Sequence, residues 1–457
     1  MKDNSYITKG KILPSLFKLG WPVMVSMILH FSYNLADTLF VAKLGAEHVA
    51  AITFTFPILY LVFSIASGLA IGTTSLIAQY TGARNKKAAS NIAEHSLLIS
   101  LVVSILVVVP VLIFQKKIFA LMGAPSDLIP LILQFSTTFF LGFWTIFVFF
   151  VGNAILRGTG EMKKPMISMI LTSVLNIILD YLLIFGIGPF PELGLRGAAL
   201  ATVITRFIAM VYILYCLAKG SKYLSISLKY FKFKWSIVKE ILKIGGPATA
   251  SVTLDAIGVT LITSFMAVYG PLAVAAYGII MRVEGIIFLP IRGIGMAAIT
   301  MIGQNIGAQK MKRAGKTAFY AVSIASGIVT IMGVLLLIFS KSLAMLFVSE
   351  AQVISYVTMY FLILVWGIPL KGLYFTGTAI LQGAGHLKPV LKAIGVIWTT
   401  FFIVMFFLRD VFFSSPKYLF ITILCGVFTS SLYILKHLLK GEWKQAVINT
   451  NKKSQTP

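Results

Sequence analysis

Asp37, Asn176, Asp180 and Thr202 are the residues whose types and setting could do chemistry. Asp37 closes the run Asn34-Leu-Ala-Asp37 inside an apolar stretch, and Asn176 and Asp180 stand four apart in another, which puts both on one helical face. A charge inside an apolar span is costly and marks a functional site by default. Two carboxylates with amide and hydroxyl neighbours make either a proton site or an all-oxygen site for a hard cation such as Na⁺. The plainer alternative, hydrogen bonding between helices, competes most at Thr202 and Asn34.

The second half of the chain has its own intramembrane charges: Asp255, Arg282, Glu284, Arg292 and Lys371. Asp255 and Lys371 are expected to pair, either as a neutralising bridge or as part of a second polar site. Arg282 and Glu284 stand two apart, cannot face each other on one helix, and need separate partners. His30 reads as a packed, hydrogen-bonded residue. Other chemistry finds no support. Gly315-Lys316-Thr317 resembles the end of a phosphate loop, but the position of its opening glycine holds Lys310. No GxSxG, HExxH or kinase set occurs, so the chain is not expected to be an enzyme. Cys216 and Cys425 lie in apolar runs without metal-ligand spacing and are assigned to packing; no cofactor is called for.

The elements that must hold these residues follow from composition. With 58% hydrophobic and only 12% charged residues, the 457-residue chain is a membrane protein. Apolar runs of this length point to helices. Twelve occur, near 15–38, 50–78, 93–114, 129–155, 165–187, 195–218, 240–269, 273–300, 317–339, 353–381, 389–412 and 416–438. The fold class is therefore all-α and polytopic, with twelve transmembrane helices. The net charge of +25 does not signal nucleic acid: 27 Lys and Arg fall in segments on the side shared by both termini, and seven on the other. Both termini are thus expected in the cytoplasm of a multi-pass protein of the cell membrane. The polar opening MKDNSYITKG leads straight into a span, so no cleaved signal peptide is expected. Counting about 1.5 Å per residue from Lys18 and Lys164 places both aspartates in the outer half of the bilayer. Pro22, Pro57, Pro247, Pro290 and Pro369 predict kinks, and a bend at Pro22, fifteen residues before Asp37 on the same helix, could respond to its charge state.

Three motifs recur at one offset. Lys18-Leu-Gly-Trp-Pro22 matches Lys243-Ile-Gly-Gly-Pro247, Gln79-Tyr-Thr-Gly-Ala83 matches Gln304-Asn-Ile-Gly-Ala308, and Ile155-Leu-Arg-Gly-Thr-Gly160 matches Ile380-Leu-Gln-Gly-Ala-Gly385; each pair differs by 225. Two homologous six-helix halves entering the membrane in the same direction follow, related by an axis along the membrane normal. The expected domains are a six-helix bundle over 1–218, a basic linker over 219–239 that acts as a solvated tether, a second bundle over 240–438 and a basic tail over 439–457. Adding 225 to Asp37 and Asp180 gives Ile262 and Met405, so the carboxylate set exists only in the first half, where coupling should live.

Taken in order, Gly20-Trp-Pro22 with Asn34-Leu-Ala-Asp37, Gly82-Ala-Arg84, Gly152-Asn-Ala-Ile-Leu-Arg-Gly158 and Asn176-Ile-Ile-Leu-Asp180 resemble the MATE (multidrug and toxic compound extrusion) family, from about Lys11 to Lys440. The resemblance implies two bundles around a V-shaped cavity, and export of cationic, amphipathic drugs in exchange for H⁺ or Na⁺. It is closer to the DinF-like and archaeal type, whose cation-coupling set matches Asp37, Asn176, Asp180 and Thr202. In NorM-like members acidic residues of the second half take part; Asp255 matches one, but Lys371 stands where another is acidic. Tyr181 departs from the proline that follows the second aspartate in many relatives. The alternative is a lipid or lipid-linked oligosaccharide flippase of the same superfamily, which should show basic residues converging on its cavity. The expected partners are small organic cations, H⁺ or Na⁺ and membrane lipid, with a monomer sufficient for the pathway.

Overall fold

A computed structural model describes residues 6–220, 223–226 and 231–448. The first five residues, 221–222 and 227–230 of the expected linker and 449–457 of the expected tail lie outside the described residues. The first half runs α1 (Tyr6–Lys9), α2 (Ile12–Ala42), α3 (Ala46–Gly82), α4 (Lys86–Leu121), α5 (Ile129–Leu141), α6 (Phe143–Gly158), α7 (Lys163–Phe185) and α8 (Gly194–Ala218). The second runs α9 (Trp235–Val268), α10 (Pro271–Ile287), α11 (Leu289–Gly307), α12 (Met311–Met345), α13 (Ala351–Leu364), α14 (Ile368–Gly383), α15 (Leu387–Phe407), α16 (Arg409–Phe412) and α17 (Pro416–Lys440).

The described residues form helices and no strand, as a chain in lipid requires when every backbone group must be satisfied within its own segment. Ten stretches are long and apolar enough to span, counting α13 and α14 together; the bent pairs α5–α6 (45°) and α10–α11 (48°) bring the number to twelve. The helices run unbroken through Pro22, Pro57 and Pro247. Breaks fall instead just before Pro290, just before Pro369, where Val365–Gly367 tightens to a 3₁₀ turn, and at Gly142, where no proline is present. Gly142 and Gly367 are 225 apart, and a Cβ at either would lie 2.3 Å from a side chain of the neighbouring helix, Val203 or Leu424. A close helix crossing accompanies that break in both halves, and at Gly142 it does so without a proline.

The repeat has a backbone basis as well. Arg84 and Gln309, both left-handed (φ 57° and 58°), end α3 and α11 at positions 225 apart, and Gly160 and Gly385 (φ 88° and 79°) follow α6 and α14 in the same relation. The motifs found in the sequence are helix stops, where the chain must leave the helix with a positive φ.

Two compact units result, one from Val25–Thr249 and the other from the segment ending at Met24 together with that beginning at Ala250. This corrects the expected bundles over 1–218 and 240–438: the start of α2 belongs with the second half and the start of α9 with the first. Glycine crossings explain the exchange. A Cβ on Gly20 would lie 3.3 Å from the Gly293 carbonyl oxygen in one unit, and a Cβ on Gly245 would lie 3.4 Å from the Gly68 carbonyl oxygen in the other. Both partners lie 225 apart, so each entering helix docks by the same small-residue contact.

The segments that lead into these helices are fastened too. Arg313 donates to the carbonyls of Ile7 and Gly10, and Lys310 Nζ to that of Thr8 (2.9 Å). In the first unit the Lys234 amide donates to His95 Nε2 (2.8 Å), with Phe231 and Phe233 against the His95 ring. The described part of the linker is thus anchored at its aromatic residues, while Lys232, Phe233 and Lys234 remain exposed. In the described part of the expected tail, Trp443 is 3% exposed, and its indole N–H donates to Leu438 O at 3.0 Å.

Gly68 provides a test of the crossing. A methyl there would meet Thr249 Oγ1 at 2.0 Å and its Cα at 2.6 Å, whereas one on Gly246 meets nothing within 4 Å. Gly68→Ala is expected to lower stability by about 1–3 kcal/mol, as overpacking does, while Gly246→Ala leaves it unchanged or raises it by up to about 1 kcal/mol. Thermal denaturation of the two purified variants in detergent, followed by loss of the monodisperse peak, checks the contrast.

Candidate functional site

The buried face of α7 is polar where a lipid-facing helix would be apolar. Ser168, Thr172, Asn176 and Asp180 follow one another at four-residue spacing with Ser173 beside Thr172, and none is more than 2% exposed. α7 and α8 pack side by side: the Leu193 amide donates to Leu183 O (3.0 Å), and a Cβ on Gly197 would come within 2.4 Å of that same oxygen. The close approach brings Thr202 of α8 beside Asn176, whose Nδ2 donates to the Thr202 hydroxyl at 3.4 Å.

Lower on the same face, Ser168 donates to Pro165 O and Thr172 to Ser168 O, so those hydroxyls are spent on their own helix. The atoms above them are not. Asp180 Oδ1 and Oδ2, Asn176 Oδ1, Ser173 Oγ and Asp37 Oδ1 are buried without a hydrogen-bond partner. Native interiors rarely leave buried polar atoms unpaired, and here five oxygens are left so. Asp37, on α2, is near enough to Asp180 for the two charges to be felt by each other. Two carboxylates cannot both stay charged in such a place without a compensating proton or cation. The donor set is all oxygen, which suits H⁺ or a hard cation such as Na⁺ and excludes soft metals.

Of the residues expected here, Asn176, Asp180 and Thr202 sit together, and Asp37 joins them through its charge. Asn34 does not: its amide donates to His30 O at 2.6 Å, within its own helix. The sequence reading missed Ser173, whose place one turn before Asn176 was available as a signal. It also missed Arg206, one turn after Thr202, though a lone arginine amid apolar residues was visible. Arg206 is 5% exposed, donates to the Tyr33 hydroxyl, and lies against the rings of Tyr33 and Phe149.

The second unit differs from expectation. Lys371 of α14 pairs with Glu284 of α10, Nζ to Oε1 at 2.5 Å, not with Asp255. Tyr360 of α13 donates to the same Glu284 oxygen at 2.7 Å, and the ammonium lies 5.2 Å from the centre of the Phe288 ring. Asp255 faces Arg292 and Tyr374 electrostatically instead. The sequence could not choose among carboxylates of equal chemistry on separate helices; the contact between α10 and α14 does. Glu284 thereby has the separate partner that its spacing from Arg282 requires.

Comparison with known proteins agrees with the geometry. The MatE family model matches residues 22–182 and, again, 247–408. The chain is similar to a protein named FAD transporter from Shewanella oneidensis (29% identical, 80% of each chain) and to the probable multidrug resistance protein NorM of Thermotoga maritima (26% identical, 97% of this chain and 96% of that one). Its fold is similar to that in a crystal structure of MATE in complex with MaL6, with a TM-score of 0.89 at 26% identity, over 97% of this chain and 100% of the other.

The Glu284–Lys371 pair makes a stability prediction. Lys371→Met strands a buried carboxylate and should destabilise by about 3–5 kcal/mol, as breaking a buried pair does, while the double variant Glu284→Gln/Lys371→Met should recover most of the loss. Denaturation of the two single variants and the double variant measures the coupling; independent, additive losses would show that the pair does not act as a unit.

Proposed function

This chain belongs to the MatE family, and we propose that it is a secondary antiporter exporting cationic, amphipathic drugs in exchange for H⁺ or Na⁺. It is a multi-pass membrane transporter and not an enzyme. The multidrug resistance relative supports the class of cargo. The observation that carries the coupling is the set of unpartnered buried oxygens on Asp37, Ser173, Asn176 and Asp180, with Thr202 holding the Asn176 amide.

The site works by exclusion of charge. Ionised aspartates attract a cationic drug or the coupling ion, and occupancy by one removes the reason to bind the other. That competition is the thermodynamic content of exchange. α2 carries the consequence, because it holds Asp37 near one end and Pro22 near the other, and the boundary between the two compact units falls between them at Met24. A change in charge at Asp37 therefore acts on an element that contributes to both units, and Pro22, which removes one backbone hydrogen bond from that unbroken helix, is where it would bend most easily. Lys371 takes no part in coupling, because Glu284 gives it a fixed counter-charge. The Lys and Arg asymmetry supports a plasma-membrane protein with both termini cytoplasmic, and two complete halves in one chain support a working monomer.

Reconstituted in liposomes, the protein should move a fluorescent organic cation when a H⁺ or a Na⁺ gradient is imposed, and the effective gradient names the ion. Asp37→Asn and Asp180→Asn should each lower gradient-driven flux roughly tenfold or more, in the range of typical site coupling. Flux that survives both substitutions, or that neither gradient drives, overturns the reading.

A further inference from the structure

Arg206 is the charge in the first unit that the carboxylate site leaves unexplained. It is 5% exposed in the middle of α8, and its one hydrogen bond goes to the Tyr33 hydroxyl. A guanidinium has five N–H donors and no acceptor capacity. Its remaining contacts are the Tyr33 and Phe149 rings, at 5.5 and 5.3 Å from its central carbon. Among the described residues no carboxylate forms an ion pair with it. Two aromatic faces and one hydroxyl do not replace the counter-charge that a buried cation demands.

The free donors are not sealed in. None of the Arg206 nitrogens is a buried atom without a partner, so those that make no hydrogen bond reach accessible space. Beside them stands His30, exposed, edge-on to Tyr33 at 5.1 Å and close enough to feel the Arg206 charge. His30 and Tyr33 share one face of α2 at a spacing of three, and Asp37 follows one turn beyond. One turn along the same two helices, therefore, the polarity of the site reverses, from acceptors around Asp180 to donors around Arg206.

We propose that Arg206, with Tyr33 and His30, is a recognition site for the phosphate or carboxylate of a small aromatic solute, so that the transporter takes amphipathic anions as well as cations. A planar guanidinium held by a tyrosine hydroxyl is suited to fork onto either group. The proposal rests on reading the chain as an exporter, but equilibrium binding needs no gradient, so its failure is distinct from failure of antiport.

Riboflavin and its 5′-phosphate differ by the phosphate alone, and both are fluorescent. Titrated against purified protein and followed by fluorescence anisotropy, the phosphate ester should bind about tenfold tighter than riboflavin, and in Arg206→Gln the ratio of the two affinities should fall to about one. Arg206→Lys, which keeps the charge and loses the fork, should show an intermediate ratio and serves alone if the glutamine variant does not fold. Equal affinities in the wild type, absence of binding by either flavin, or a ratio unchanged in every folded variant overturns the proposal. So does Arg206-dependent retention of phosphatidylglycerol without preference for the flavin phosphate, which would assign the site to a lipid headgroup.

Discussion

A carboxylate enclosed by helices in lipid has few ways to exist. It must find a fixed cation, take up a proton or hold a mobile ion, because an isolated charge in such surroundings is too costly to keep. This chain uses two of these solutions in its two halves. Glu284 has a fixed cation in Lys371 and a hydroxyl from Tyr360, and is settled. Asp180 has neither; both its oxygens, with Asn176 Oδ1, Ser173 Oγ and Asp37 Oδ1, lack a partner. The difference leaves one site neutralised within the protein and the other with unpartnered oxygens, although the two halves carry one repeat.

The repeat explains why such a site can act on the rest of the molecule. Glycine crossings at Gly20 with Gly293, and at Gly245 with Gly68, place the start of each entering helix in the unit built mainly from the other half. Arg313 on the Ile7 and Gly10 carbonyls, and His95 on the Lys234 amide, fasten the approach segments in the same exchanged sense. A helix whose two ends belong to different units gives a change at one end a covalent route to the other. α2 is such a helix, and Asp37 is on it.

Much of the architecture was legible in the sequence because it obeys periodic rules. Apolar length fixed the twelve spans, and the offset of 225 located helix stops that the left-handed residues Arg84 and Gln309 confirm. The pair Asn176 and Asp180 was legible from a four-residue spacing on one helix. What escaped depended on contacts between distant segments. Lys371 found Glu284 and not Asp255 across separate helices, and the break at Gly142 was hidden because no proline marks it. The exchange of entering helices was hidden for a related reason: a repeat reports equivalence between segments, not which copy each one packs against.

On the proposed function, a cationic solute and the coupling ion compete for the carboxylates of the first half. The direct test counts ions displaced at equilibrium. Purified protein in weakly buffered solution is titrated with tetraphenylphosphonium, with a pH indicator and a Na⁺-selective electrode reading the bath. Competition predicts that binding releases protons or Na⁺, and that Asp180→Asn abolishes the release. Binding that releases neither ion, or release that persists in Asp180→Asn, would place the coupling elsewhere.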